Sequence, residues 1–219
     1  MQDFVDRLLH FEPIQYIFGH TLWCGLDLKV TPATLIPRPE TAELVDKVAA
    51  EGDGLAPLRV LDIGTGSGCI AVALKQRHPE WQVTGIDISA EAIEVAKENA
   101  VRNHVEVNFL QADIFSDFNG DFDLVVSNPP YICEKEKADM RPNVLQYEPH
   151  TALFVPDTDP LRFYRRIASL HLGGHLFFEI NEAYPNELCN MLAESDYTDI
   201  QVMNDIYGKP RIIQARSTR

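Results

Sequence analysis

The sequence predicts an α/β protein built around a mostly parallel, doubly wound sheet, and three observations predict it. Short apolar runs alternate with helical patterns through the middle of the chain, the order expected of βα units. Three carboxylates, Asp62, Asp87 and Asp113, follow successive runs and so gather at one edge of the sheet. The chain closes on two extended runs joined by Asp205-Ile206-Tyr207-Gly208-Lys209, a hairpin rather than another βα unit. With 219 residues, 45% of them hydrophobic, there is enough apolar material for one substantial core and an appendage.

Taken in order, Phe4, Val5, Leu8 and Leu9 give the first residues an amphipathic face, which Pro13 breaks. Residues 16–20 and 22–30 alternate and read as a β-hairpin, so 1–34 is expected to be an N-terminal segment ahead of a main domain, 35–219. Residues 41–50 carry helical periodicity in Leu44, Val45 and Val48, and Glu51-Gly52-Asp53-Gly54 ends that helix. Arg59-Val60-Leu61-Asp62-Ile63 reads as a short buried strand. It runs into Gly64-Thr65-Gly66-Ser67-Gly68 and then into a helix with Ile70, Val72, Ala73 and Leu74 that reaches Arg77. The next strand, 82–87, ends in Asp87, and Ser89 is the expected N-cap of a helix carrying Ile93, Ala96 and Ala100. Further strands are expected near 105–110, 124–127, 176–180, 200–203 and 211–215. Residues 132–159 are charged, contain prolines and lack strong periodicity. Their place beside Tyr131 reads as a substrate lid, with disorder the alternative.

Composition narrows the function. No apolar run is long enough to span a bilayer and the first residues are too charged for a secretory signal, which points to the cytoplasm. Cys24, Cys69, Cys133 and Cys189 are scattered without metal-ligand spacing, so reduced thiols are expected, with no disulfide and no metal; Cys69 reads as packing. The formal net charge is −14 and no run of Lys or Arg is present; Arg162, Arg165 and Arg166 read as a solvated helix face. That argues against a protein that neutralises phosphates.

Asn128-Pro129-Pro130-Tyr131, directly after the apolar run 122–127, carries the most chemistry. Asn offers an acceptor and a donor. Pro130 holds Pro129 extended and has no N–H, so the Pro129 carbonyl can stay free as a second acceptor. Tyr131 supplies a face for a planar group. Two acceptors and a ring suit a planar –NH2, as in an amide or an aminopurine; a Pro-Pro turn with a buried Asn is the plainer alternative. Upstream, strand, glycine turn and helix start form a nucleotide-type cradle, in which glycines admit a close approach and helix N–H groups point at the ligand. Asp87, roughly twenty residues on, is placed for ribose hydroxyls and Asp113 for an adenine amino group. Gly66-Ser67-Gly68-Cys69-Ile70-Ala71 also satisfies a dinucleotide pattern. Asp62 argues against that reading, because it would crowd a pyrophosphate yet suit the ammonium and sulfonium of S-adenosylmethionine.

The order of these motifs resembles the class I S-adenosylmethionine-dependent methyltransferases, and more narrowly the release-factor glutamine N5-methyltransferases. Glu12-Pro13-Ile14-Gln15-Tyr16-Ile17-Phe18-Gly19, Leu35-Ile36-Pro37-Arg38-Pro39-Glu40-Thr41-Ala42-Glu43 and Tyr147-Glu148-Pro149-His150-Thr151-Ala152-Leu153 add to the likeness, which covers the chain from about residue 12. The resemblance implies a Rossmann-like, seven-stranded sheet with an antiparallel last strand. It implies transfer of a methyl to the glutamine of a Gly-Gly-Gln loop in class I peptide release factors. A monomer is expected, with no nucleic acid and no membrane bound. Asn128 and the Pro129 carbonyl would accept the amide protons, with Pro130 and Tyr131 packing against the substrate. The implied cofactor set is Asp62, Gly64, Thr65, Gly66 and Gly68, then Asp87 with Ile88, Asp113 with Ile114, and Asn128. Arg38, Glu40 and Thr41 would close over the methionine end. Two departures stand out: Asn181 in Glu179-Ile180-Asn181-Glu182-Ala183 replaces a glycine, whose left-handed backbone Asn tolerates, and 155–161 lack the usual glycines. Family members also carry a helical domain that holds the release factor, and this chain is expected to start after it. A methyltransferase for adenine N6 or guanine N2, or a non-catalytic nucleotide-binding module, are the competing functions.

Overall fold

A computed structural model of the chain describes residues 2–52, 57–116 and 118–219. Two short helices, α1 (Gln2–Leu9) and α2 (Ile14–Phe18), precede a hairpin of β1 (His20–Trp23) and β2 (Leu26–Lys29). Then come α3 (Pro39–Glu51), β3 (Arg59–Ile63), α4 (Cys69–Arg77), β4 (Gln82–Asp87), α5 (Ala90–Arg102), β5 (Asn108–Gln111) and β6 (Phe122–Ser127). Short elements follow: β7 (Ile132–Cys133), α6 (Pro142–Tyr147) and β8 (Phe154–Val155), with 3-10 turns at Glu134–Asp139 and His150–Ala152. The chain ends with α7 (Arg162–Leu170), β9 (Gly173–Glu179), α8 (Pro185–Glu194), β10 (Tyr197–Asn204) and β11 (Pro210–Ser217).

Seven strands make the main sheet in the order β10-β11-β9-β6-β3-β4-β5, all parallel except β11, which runs antiparallel to both neighbours. This is the seven-stranded, mostly parallel sheet that the resemblance implies, with its last strand antiparallel. Period-two alternation sends Val60, Leu124, Phe177 and Ile212 to the face covered by α3, α4 and α5. Their neighbours Leu61, Val125, Phe178 and Ile213 face α7 and α8. Trp23, Leu26 and Leu28 of the hairpin join the first of these cores.

The strand order reverses at β3, which lies between β6 and β4. Register brings Ile63 level with Ile86 and Ser127, so the loops after β3, β4 and β6 leave the sheet side by side. Open parallel sheets bind ligands at such a switch point.

Some expectations need correction. Residues 16–18 are helix, not strand: Pro13 starts α2, Gly19 (φ 74°) ends it, and the hairpin lies wholly within 20–29. In a five-residue helix, one buried Tyr16 among more exposed neighbours looks like alternation. The fifth strand starts at Asn108, with Val105 and Val107 packing as an irregular approach. Residues 132–159 are ordered by β7, α6 and β8 rather than irregular. Asp53 and Gly54, expected to end α3, lie outside the described residues; Gly52 caps that helix. No helix among the described residues is long and apolar enough to cross a membrane.

Candidate active site

A cavity of about 530 Å³ opens at the carboxyl ends of β3, β4 and β6. Of the residues singled out in the sequence, Arg38, Thr41, Gly64, Thr65, Gly66, Asp87, Ile88, Asp113, Ile114, Asn128, Pro129 and Pro130 line it. Glu40, Asp62, Gly68 and Tyr131 do not.

The glycine loop turns on three left-handed residues, Gly64 (φ 71°), Gly66 (φ 56°) and Gly68 (φ 78°). Gly68 is a packing glycine, since a Cβ there would meet Ala96 at 3.0 Å and Phe109 at 3.1 Å. Gly64 and Thr65 both donate their N–H to Ile86 O at 2.9 Å, Gly66 to Asp87 Oδ2 at 2.9 Å and Gly68 to Thr65 O at 2.8 Å. With those four donors committed, the loop has fewer free N–H groups to offer a pyrophosphate.

Asp62 stands behind this loop, fully buried, and accepts the Thr65 hydroxyl at 2.6 Å. It does not line the cavity, and burial pushes its carboxyl up to about 7, against the pull of the Thr65 bond. Asp87 does face the cavity: Oδ2 accepts Gly66 N–H and Oδ1 accepts Ser89 N–H at 2.9 Å. Each of its oxygens keeps a lone pair for a ligand hydroxyl. Burial raises its pKa and the backbone donors lower it. Asp113 forms a local turn with Phe115 N–H at 2.8 Å, beside Ile114. Ile88, Phe115 and Phe163 give this end apolar walls suited to a flat ring.

The arginines of α7 depart from the expected solvated face. Arg166 donates to Ile114 O at 2.5 Å and Ser116 O at 2.8 Å, fixing the Asp113 loop. Arg162 lies 5.0 Å over the Phe115 ring and 5.3 Å over that of Phe163. Arg165 alone pairs at the surface, with Asp159 at 2.9 Å.

On the other wall, Asn128 Nδ2 donates to Thr41 Oγ1 at 3.2 Å, and Thr41 donates to Glu179 Oε2 at 2.6 Å. Tyr131 donates its hydroxyl to Glu179 Oε1 at 3.0 Å, with its ring packed against the core rather than forming cavity wall. The Pro129 carbonyl accepts no hydrogen bond among the described residues. Arg38 donates to the buried Glu148 at 2.5 Å, and Ile36 N–H reaches the same carboxylate at 3.2 Å. That pair ties residues 35–39 to the 132–159 segment, whose Pro149, Thr151 and Ala152 line the cavity.

Asn181 is not among the residues with positive φ, so it does not replace a glycine by adopting its backbone. Its Nδ2 donates to Tyr131 O at 3.1 Å and to Glu136, and its Oδ1 accepts Ala183 N–H at 2.9 Å. Sequence reasoning assigned no role to Glu148 or Glu179. Glu179 had a signal: a carboxylate closing the apolar strand Gly173–Glu179 must find partners when buried.

The model of the methyltransferase small domain matches residues 41–146. The release factor glutamine methyltransferase of Bacteroides thetaiotaomicron is 48% identical over 98% of this chain and 80% of its own length. That of Flavobacterium psychrophilum is 45% identical over 95% and 76%. A methyltransferase from Pyrococcus furiosus superposes with a TM-score of 0.62 at 18% identity, over 99% of this chain and 98% of that one. With the fold, the strand-end cavity and this identity over nearly its whole length, the chain belongs to the release factor glutamine methyltransferase family.

Proposed function

We propose that this chain transfers a methyl group from S-adenosylmethionine to the side-chain amide nitrogen of the glutamine in the Gly-Gly-Gln motif of class I peptide release factors. The observation that carries the reading is the pair of acceptors at the cavity edge, Asn128 Oδ1 and the free Pro129 carbonyl. An amide nitrogen is a poor nucleophile because its lone pair is delocalised into its carbonyl. Two acceptors holding both amide protons favour pyramidal nitrogen and stabilise the positive charge that develops on it. The proton leaves after the methyl has arrived, so no general base is required.

The cavity fits the methyl donor. S-adenosylmethionine, when bound, supplies an electrophilic methyl on a sulfonium. Asp87 has lone pairs for ribose hydroxyls, and the walls by Asp113, Ile114 and Phe115 suit adenine. The committed N–H groups of the glycine loop disfavour a pyrophosphate cofactor. Asp62 stands behind Thr65 rather than against the donor. Tyr131 serves the site by anchoring the tetrapeptide rather than by stacking.

A net charge of −14 favours a protein substrate over nucleic acid, and we read the enzyme as a cytoplasmic monomer. We also read residues 1–34 as an appendage to the methyltransferase domain, 35–219, and residues 132–159 as the cover over the substrate. The test is incubation with labelled S-adenosylmethionine and either a purified release factor or random duplex DNA, with the methyl mapped by mass spectrometry. A methyl on the Gly-Gly-Gln glutamine is the expected result; label in DNA instead would overturn the reading.

A further inference from the structure

Asn128 can turn only one end of its amide toward the cavity, and the groups behind it decide which. We propose that Thr41, Glu179 and Tyr131 are positioning residues that hold the Asn128 amide with Oδ1 facing the cavity. This rests on the reading of Asn128 as an acceptor for the substrate amide.

Glu179 is 1% exposed, and as a carboxylate it can only accept. Both hydroxyls on it therefore donate, Thr41 at 2.6 Å and Tyr131 at 3.0 Å. Thr41 has a single proton and gives it to Glu179, so toward Asn128 it offers only lone pairs. At 3.2 Å those lone pairs can be met only by Nδ2. Oδ1 then faces the other way, as an acceptor for an incoming –NH2. The reversed amide would set oxygen against oxygen at Thr41 and –NH2 against –NH2 at the substrate. Tyr131 fixes the second carboxylate oxygen, so one buried group holds both ends of the Asn128–Tyr131 turn. Arg211 on β11, Glu40 on α3 and Tyr164 on α7 are the other charged or titratable groups that face Glu179.

Thr41 also lines the cavity, so its alternative role is a contact with the methyl donor. The experiment compares Thr41→Val, Thr41→Ser, Glu179→Gln and Asn128→Ala in the full chain. It measures the single-turnover rate of release factor methylation at saturating S-adenosylmethionine, and donor affinity by calorimetry. Thr41→Val is expected to slow transfer about 10- to 100-fold with donor affinity within about threefold, and Thr41→Ser, which keeps the hydroxyl, to restore most of the rate. Glu179→Gln is expected to slow it as well, because Thr41 and Tyr131 donate to different oxygens of Glu179 and in Gln one of those positions becomes an NH2 donor. Unchanged transfer in Thr41→Val overturns the proposal, and so does lost donor affinity with an intact rate. If Asn128→Ala remains active, the underlying reading of Asn128 fails. If Asn128→Ala is inactive but Thr41→Val is not, only the positioning role fails.

Discussion

On the wall of the cavity formed by β3, β4 and β5, most aspartate contacts are local. Asp62 meets Thr65 three residues on, Asp87 meets Ser89 and Asp113 meets Phe115 two residues on, and the longest link is Asp87 to Gly66 across 21 residues. On the opposite wall, Thr41 meets Glu179 across 138 residues, Arg38 meets Glu148 across 110 and Asn128 meets Thr41 across 87. The aspartates of the first wall are held mainly by turns close to them in sequence. The second exists only once α3, β6 and β9 have assembled, and each of its groups depends on the next.

The comparison breaks if the two walls respond alike to mutation. The largest effect is expected at Asn128→Ala, which should cut methyl transfer by about a thousandfold while donor affinity stays within about threefold. The measurement pairs a single-turnover assay with calorimetry. Asp87→Ala should do the reverse. It should weaken donor binding about 10- to 100-fold by removing a charged acceptor, with a smaller change in rate once the donor is saturating.

That division also explains what could be read in advance. Local turns leave their residues side by side in sequence, so the glycine loop, the strand-end position of Asp87 and the Ser89 cap were legible. Asn128-Pro129-Pro130-Tyr131 was legible as two acceptors because Pro130 has no N–H. The stacking role expected for Tyr131 was not, because its hydroxyl is taken by Glu179, a residue 48 positions away. Arg166 looked solvent-facing because only the assembled fold brings Ile114 O beneath it. Asn181 was read as a backbone substitute for glycine, whereas its side-chain amide braces Tyr131 O from another loop.

Two smaller effects sharpen the comparison. Burial raises the pKa of Glu179, while its bonds from Thr41 and Tyr131 pull it down. As pH falls through that raised value, Glu179 takes a proton and Thr41 no longer has to donate to it. Transfer by the wild type should therefore fall on the acid side, and Glu179→Gln should lack that limb in a pH–rate profile. Arg38→Ala leaves the buried Glu148 without its cation and should cost about 2 kcal/mol by denaturant unfolding, less than a fully buried pair because Arg38 is partly exposed.

Asp62 gives the smallest expected change in methyl transfer. Its folded-state pKa is raised to about 7 from 3.8, so the stability it contributes is complete below 3.8 and is lost as pH rises through about 7. Asp62→Asn should flatten that part of the pH–stability curve, read as the thermal midpoint. It should leave methyl transfer within about threefold of wild type.

The most direct test of the account is a double-mutant cycle between Thr41→Val and Asn128→Ala, read as the single-turnover rate of methylation at the release factor glutamine. If Thr41 acts by holding the Asn128 amide, it has nothing left to hold in the Asn128→Ala background, and the double variant should be no slower than Asn128→Ala alone. Rates that fall by the full product of the two single effects would contradict the account.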